Sequence, residues 1–236
     1  MNPGIKYALE NGGDYIFLLN NDVIVSQPDF IIKMVQFMEE HSQIGIVGPK
    51  LLFNDGSYQK SYNKYILAMA LEPWWPAKMT LLLRRLGLSH SKGNDTFKVG
   101  WVNAVALLFK RQVFEDIGLM DERFFLGAED IDLSLRAKRK GWETWYYPKA
   151  ELIHLSFISH AKSTIAYDKY YAVSTVKFLY KHYSWVVAST LRLLTALGFF
   201  LRGIEWLIVS IIKKSKFKTA KELFQMSKLI FTISSK

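Results

Sequence analysis

Apolar and polar positions alternate in short blocks along the first two-thirds of the chain. Ile5, Ala8 and Leu9 make a narrow apolar face behind Asn2-Pro3, which reads as an N-cap and first helical residue, and Gly12-Gly13 close that helix. Tyr15-Ile16-Phe17-Leu18-Leu19 is a continuous apolar run, too short for a helix, and predicts a buried strand. Phe30, Ile31, Met34, Phe37 and Met38 recur at helical spacing, and Ile44-Gly45-Ile46-Val47 predicts a second strand. This strand–helix–strand order predicts an α/β fold, a mostly parallel sheet with flanking helices, entered in mid-fold through its first helix.

Further along, Asn54-Asp55-Gly56-Ser57 is a turn signal, and Trp74-Trp75 between two prolines suggests an apolar loop or lid. Val99 to Phe109 reads as one strand-like run, and Arg111 to Ile117 as a short helix stopped at Gly118. Asp130 to Lys140 carries Ile131, Leu133, Leu135 and Ala137, with Gly141 where a C-cap belongs. Trp142 to Tyr147 predicts a strand ended by Pro148. No internal repeat is visible.

The pattern changes near residue 167. Residues 167–182 predict a helix, and Trp185 to Ile212 is strongly apolar but broken by Arg192, Arg202 and Glu205. Its longest charge-free run, Leu193 to Leu201, is nine residues, well short of the ~20 that a spanning helix wants. On a helical wheel Arg192, Thr195, Arg202, Glu205, Ser210 and Lys213 form one stripe. That predicts a helix lying in a membrane interface, with Lys213-Lys214-Ser215-Lys216-Phe217-Lys218 gripping anionic headgroups. A helix packed on the protein's own body gives the same stripe, and Gly198 and Gly203 are expected to break it. The organisation expected is an α/β body over 1–166 and a helical, basic tail over 167–236.

Charge sharpens this division. The formal net charge is +10, and residues 180–236 hold ten Lys/Arg against two acids, so the tail carries +8 and the rest only +2. The partner this implies is anionic and belongs to the tail. A Lys-rich segment with few interleaved aromatics, following an apolar helix, suits a membrane surface through residues 185–218 and not nucleic acid. With 50% hydrophobic residues the chain can bury a core, which excludes disordered classes. The absence of cysteine excludes disulfides, thiolate nucleophiles and Cys-ligated metals. No charged stretch followed by an apolar one stands at residues 1–30, so a signal peptide is not expected there.

Three places carry candidate chemistry. Asn20-Asn21-Asp22 follows an apolar strand directly, at the edge where open α/β sheets bind ligands. A carboxylate among carboxamides suits Mg²⁺ or Mn²⁺ on a phosphate, and equally suits a polar strand exit with an Asx turn. Glu129-Asp130 open a helix, where the macrodipole alone favours acids and where a carboxylate could also accept a proton from a substrate hydroxyl. Asp132 and Arg136 read as an ordinary helix-surface ion pair. His154 ends another apolar run and is either a metal ligand or a structural residue.

In order along the chain stand Leu18-Leu19-Asn20-Asn21-Asp22, Gly118-Leu119-Met120-Asp121-Glu122-Arg123-Phe124-Phe125, Glu129-Asp130-Ile131-Asp132-Leu133-Ser134-Leu135-Arg136, Gly141-Trp142, Pro148 and His154. That series, over about residues 2–182, resembles the second half of a family-2 glycosyltransferase, in its bacterial rhamnosyltransferase-like branch. The resemblance implies a GT-A fold and inverting transfer of a sugar, rhamnose among the candidates, from a nucleotide-sugar donor to a glycan or lipid-linked acceptor of the cell envelope. It implies that Asn20, Asn21 and Asp22 face the donor diphosphate, that Asp22 and His154 hold a divalent cation (Mg²⁺ or Mn²⁺), and that Asp130 is the general base. Glu129, with Trp101 and Asn103 of Trp101-Val102-Asn103-Ala104, would seat the acceptor. Asn20 stands where the family has its first acid, and Asn103-Ala104 where it has a small residue and glycine. The resemblance further implies a missing N-terminal strand–helix–strand unit and work at the cytoplasmic face of the membrane, peripheral or monotopic. The alternative is a truncated or degenerate membrane-bound relative without catalysis.

Overall fold

Helix α1 (Asn2–Glu10), strand β1 (Tyr15–Leu19), the short β2 (Val23–Ile24), helix α2 (Phe30–Glu39) and strand β3 (Ile44–Leu52) form where the apolar blocks put them. The computed structural model describes residues 1–67, 93–124, 127–155 and 164–233. Trp74-Trp75 and Phe125 lie outside the described residues. The chain divides into two compact units, one from 1–66, 91–122 and 129–160, the other from 67–90, 123–128 and 161–236.

The first unit continues with β4 (Tyr58–Gln59), β5 (Tyr62–Asn63), β6 (Phe97–Val99), β7 (Trp101–Val102), β8 (Ala106–Lys110), α3 (Arg111–Ile117), α4 (Glu129–Arg139) and β9 (Glu143–His154). Its main sheet runs β1-β8-β3-β9-β2, with β4 added to β3 and β6 to β9, while β5 and β7 pair separately. The α/β class forms as expected, but the sheet expected to be mostly parallel is mixed and, among the described strands, mostly antiparallel. β3 and β9 are parallel, but β8 enters antiparallel between β1 and β3. The expected single run Val99–Phe109 is therefore three strands with turns between them, because Gly100 and Asn103-Ala104-Val105 redirect the chain.

The sheet is buried on both sides, which is why β1 reads as unbroken apolar sequence. Ile16, Leu18, Leu107, Phe109 and Ile46 pack with Ile5 of α1, Phe114 of α3 and Leu133 of α4. Val47, Leu51, Leu108 and Leu152 pack with Phe30, Met34, Phe37 and Met38 of α2. Gly45 is an extra residue in β3, between the pairs Ile44–Glu143 and Ile46–Thr144, so Ile44 and Ile46 serve opposite faces. At Gly48 a Cβ would stand 2.2 Å from Val102 Cγ1, so only glycine lets β7 lie this close on β3.

Asn2 and Pro148 both depart from what their local sequence predicts. Asn2 is the first helical residue and not the cap; its amide instead clips Met120, donating to the carbonyl and accepting from the N–H, both at 3.0 Å. Pro148 does not end a strand, because β9 runs through it to His154. The register steps from Pro49–Tyr147 to Lys50–Glu151, leaving Pro148-Lys149-Ala150 as a bulge where a missing N–H costs no ladder bond.

One consequence of topology places the site. β1 and β2 lie at opposite ends of the strand order, yet only Asn20, Asn21 and Asp22 join them. Four extended Cα steps reach about 14 Å at most. The sheet margins therefore curl toward each other at this end.

The second unit is helical: α5 (Thr164–His182), α6 (Trp185–Ile212), a 3₁₀ turn (Lys214–Lys216) and α7 (Phe217–Thr232). Ala172, Val176, Ala196, Met226 and Ile230 form its core. α6 is unbroken, so Gly198 and Gly203 do not interrupt it. Both are buried, and a Cβ on Gly203 would meet the Phe224 ring of α7 at 2.7 Å. The polar stripe is only partly outward: Thr195 is buried, and Arg192 donates to the carbonyls of Ile230, Phe231 and Ile233 at 2.7–2.8 Å. The exposed side is instead apolar, with Leu193, Leu197, Phe200, Leu201, Ile204 and Ile208. By length and composition α6 is apolar enough to cross a membrane.

Gly48→Ala is expected to destabilise the first unit by about 1–3 kcal/mol, through overpacking against the β-branched Val102. The check is a shift of the urea midpoint at unchanged slope.

Candidate active site

The exit of β1 meets the start of β8. Asn20 N–H donates to Val105 O at 2.9 Å, extending the β1–β8 ladder by one bond past Leu19–Ala106. Asp22 and Val23 then turn onto β9, where Val23 pairs with His154 and Leu155 N–H donates to Asp22 O at 2.9 Å. This short antiparallel pairing brings the Asp22 carboxylate to the His154 ring, with Oδ2 3.3 Å from Nε2. The other carboxylate oxygen, Oδ1, is buried and has no hydrogen-bond partner among the described residues.

His154 Nδ1 lies 3.0 Å from Gln59 Oε1 on β4. A carbonyl oxygen only accepts, so this contact puts a proton on Nδ1, and in the neutral ring that leaves the Nε2 lone pair facing Asp22. Two acceptors this close need a cation between them, a proton or a metal ion. A carboxylate with an unsatisfied buried oxygen and a neutral imidazole fit a divalent ion whose other positions fall to water or phosphate. Among the described residues no third His, Cys, Asp or Glu joins them.

Asp130 sits on the first turn of α4. The chain reaches it through Gly127 and Ala128, at φ 77° and 76°. A left-handed residue with a Cβ costs about 1–3 kcal/mol, so this entry is strained. Asp130 is buried. Its Oδ1 accepts from Ile131 N–H at 2.8 Å and its Oδ2 from Ala104 N–H at 3.3 Å. Ala104 adjoins Val105, the partner of Asn20, so one turn, Asn103-Ala104-Val105, binds both the exit of β1 and the head of α4. Burial, reinforced by the neighbouring Glu129 charge, pushes the Asp130 carboxyl up to about 7. Near neutral pH it is then balanced between acid and base.

The remaining candidates are distributed around this frame. Asn103 N–H donates to Ser61 O at 2.7 Å, in the turn that holds Asp130. Trp101 pairs with Asn63, and its indole Nε1 is buried without a partner among the described residues. Glu129 Oε2 is buried beside Asp130, and Asn21 is exposed. Asp132 and Arg136 are not a surface pair. Asp132 is fully buried and accepts from Arg136 Nε at 2.8 Å, while the same guanidinium donates to Ile117 O at 2.5 Å and Leu119 O at 2.9 Å. That latch fixes α4 to the loop after α3. Gln59 carries no sequence signal, being a polar residue among polar neighbours, and Ala104 carries one only as part of the acceptor-side segment, not for the backbone N–H it supplies.

A sequence model described as glycosyltransferase like family 2 matches residues 1–175. The chain belongs to this family. An N-acetylglucosaminyl-diphospho-decaprenol L-rhamnosyltransferase of Mycobacterium tuberculosis is 29% identical over 180 residues, 73% of this chain and 57% of the relative. A dTDP-rhamnosyl transferase, RfbF, of Shigella flexneri is 25% identical over 153 residues, 65% of this chain and 46% of the relative. The chain thus spans about half the length of these curated relatives. Among solved structures, the mannosyltransferase PcManGT of Pyrobaculum calidifontis, in complex with GDP-Man and Mn²⁺, superposes with a TM-score of 0.50 at 13% identity. The match covers 98% of this chain and 64% of that one, and it shows a shared fold of the GT-A type.

The Asp130 carboxyl is expected to titrate near 7, read by carboxyl ¹³C shifts, and Glu129→Gln should lower that midpoint by removing a like charge. A raised carboxyl pKa means the folded state holds the proton longer than the unfolded one. Stability should therefore fall as pH rises from about 4 to about 7, and Asp130→Asn should flatten that slope.

Proposed function

We propose that this chain acts in the transfer of a sugar from a nucleoside-diphosphate donor to a hydroxyl of a cell-envelope polysaccharide or lipid-linked glycan, with inversion at the transferred carbon. The observation that carries the proposal is a buried carboxyl, Asp130, tied through one turn to the strand end that presents Asp22 and His154. The relatives named as rhamnosyltransferases favour a deoxyhexose such as rhamnose as the sugar. The GDP-Man and Mn²⁺ held by the structural neighbour support the choice of donor class and of a divalent cation.

The chemistry follows from the groups present. Asp22 and His154 would hold the divalent ion (Mn²⁺ or Mg²⁺), which stabilises charge developing on the diphosphate when bound. Asn20 and Asn21 line the same strand exit and would hydrogen-bond the donor. Asp130 takes the proton of the acceptor hydroxyl as its oxygen bonds to the anomeric carbon, while the carbon–oxygen bond to diphosphate breaks on the opposite side. The backbone N–H of Ala104 and of Ile131 hold that carboxylate in place. Glu129, Asn103 and the Trp101 indole, whose buried N–H has no acceptor among the described residues, would orient the acceptor sugar.

The tail supports a membrane location. The exposed apolar side of α6 and the lysines of 213–218 support a helix pair lying on an anionic membrane at its cytoplasmic face, where a lipid-linked acceptor is presented. Each lysine near such a surface contributes about 1 kcal/mol.

Asp130→Asn should reduce transfer about 10²–10⁴-fold with donor affinity unchanged, measured by product formation and by nucleotide-sugar titration. An active variant removes Asp130 as base, and a folded chain that binds no nucleotide-sugar is a non-catalytic relative. Flotation with vesicles containing phosphatidylserine tests the tail: Phe200→Asp with Ile204→Asp, both on the exposed side of α6, should leave the protein in the soluble fraction.

A further inference from the structure

Gln59 lies 95 residues before His154 and belongs to none of the motifs that mark the site. It is placed by β4, a two-residue strand folded back on the end of β3 through the Asn54–Ser57 turn. That turn is itself well determined: Asp55 Oδ1 accepts from Ser57 N–H at 2.9 Å and from its hydroxyl at 2.6 Å, and Gly56 takes φ 78°. The pairs Leu51–Gln59 and Leu52–Tyr58 set Gln59 on one edge of β3, while β9 pairs with the same stretch on the other edge at Leu51–Leu152 and Leu52–Ile153, so the Gln59 side chain reaches His154 across the end of β3. The result is the 3.0 Å contact between Gln59 Oε1 and His154 Nδ1, with Nε2 on the far side of the ring 3.3 Å from Asp22.

We propose that Gln59 is the positioning residue of the metal centre: by accepting the Nδ1 proton it selects the His154 tautomer whose Nε2 lone pair is aimed at the ion. The inference rests on the assignment of Asp22 and His154 as ligands made above, and it adds the residue that makes the imidazole a ligand. An imidazole has one proton to place when neutral. Without an acceptor at Nδ1 it would donate from Nε2 to the Asp22 carboxylate, and that Nε2–H···Oδ2 bond would close the site to a cation. Gln59 removes this alternative by competing for the proton on the other side of the ring. A partner of this kind is worth about 10–100-fold in metal affinity.

Two full-chain variants test it. Gln59→Met keeps the length of the side chain and removes the acceptor; Gln59→Glu keeps an acceptor. Mn²⁺ titration followed by electron spin resonance should show affinity weakened about 10–100-fold by Gln59→Met and retained by Gln59→Glu. Long-range ¹H–¹⁵N correlation on the metal-free protein should show the His154 proton on Nδ1 in the wild type and in Gln59→Glu, and moved to Nε2 in Gln59→Met. The two readouts separate the failures. A wild type that binds no Mn²⁺ overturns the metal centre itself. A His154 that keeps its proton on Nδ1 in Gln59→Met, or equal Mn²⁺ affinity in all three proteins, overturns the role of Gln59.

Discussion

β8 enters the sheet antiparallel to both of its neighbours, so its first residue, Ala106, pairs with the last residue of β1, Leu19. The turn that feeds β8 must then lie at the carboxyl end of β1, which is also where the chain leaves for Asp22. The backbone of that turn is committed in two directions, Val105 O to Asn20 N–H and Ala104 N–H to Asp130 Oδ2. Shifting β8 by one residue would invert its side chains between the two cores and break both commitments together. Packing of the sheet and placement of the acidic residues are therefore one constraint and not two.

This end of the sheet stores unfavourable features that the cores on both faces offset. Asp130 is buried next to another acid, Asp22 has a buried oxygen without a partner among the described residues, and Ala128 is held at positive φ. An unsatisfied buried acceptor costs about 1–3 kcal/mol. Hydrophobic residues at those positions would cost nothing of the kind, so stability does not account for the arrangement. The proposed ligands would account for it: a cation would satisfy Asp22, and an acceptor hydroxyl would meet Asp130.

Much of this frame was legible in the sequence because it depends on local patterns. The five-residue run Tyr15–Leu19, the helical spacing of Phe30–Met38 and the Gly118 stop needed only burial and backbone preferences. What escaped was pairing at a distance. Nothing local says that β8 comes between β1 and β3, and Pro148, a stop by every nearby signal, is tolerated because a bulge facing Pro49–Lys50 leaves it no ladder bond to make. Asp132–Arg136 has the spacing of an exposed pair and becomes a buried latch only because Ile117 and Leu119 offer it two carbonyls. In the site, the acids stood out as acids after apolar runs, whereas the contacts that orient the site groups, the Ala104 backbone N–H on Asp130 and the Gln59 amide on His154, are silent in sequence.

The tail turns on the same distinction between a pattern and what answers it. A polar stripe on an apolar helix normally marks the side that faces water. On α6 part of that stripe faces α7 instead, where Arg192 supplies the three carbonyls at the end of that helix with donors they would otherwise lack. Small residues complete the contact, with Gly203 against Phe224, and the Ser227 hydroxyl donates to Ala196 O at 2.8 Å. Once the polar and small residues are used between the helices, the bulky ones, Leu193, Leu197, Phe200 and Ile204, have nowhere to go but outward. An apolar exterior on a helix pair that ends in lysines is costly in water and favourable at an anionic membrane surface, and the polar contacts within the pair are what let it hold that exterior out.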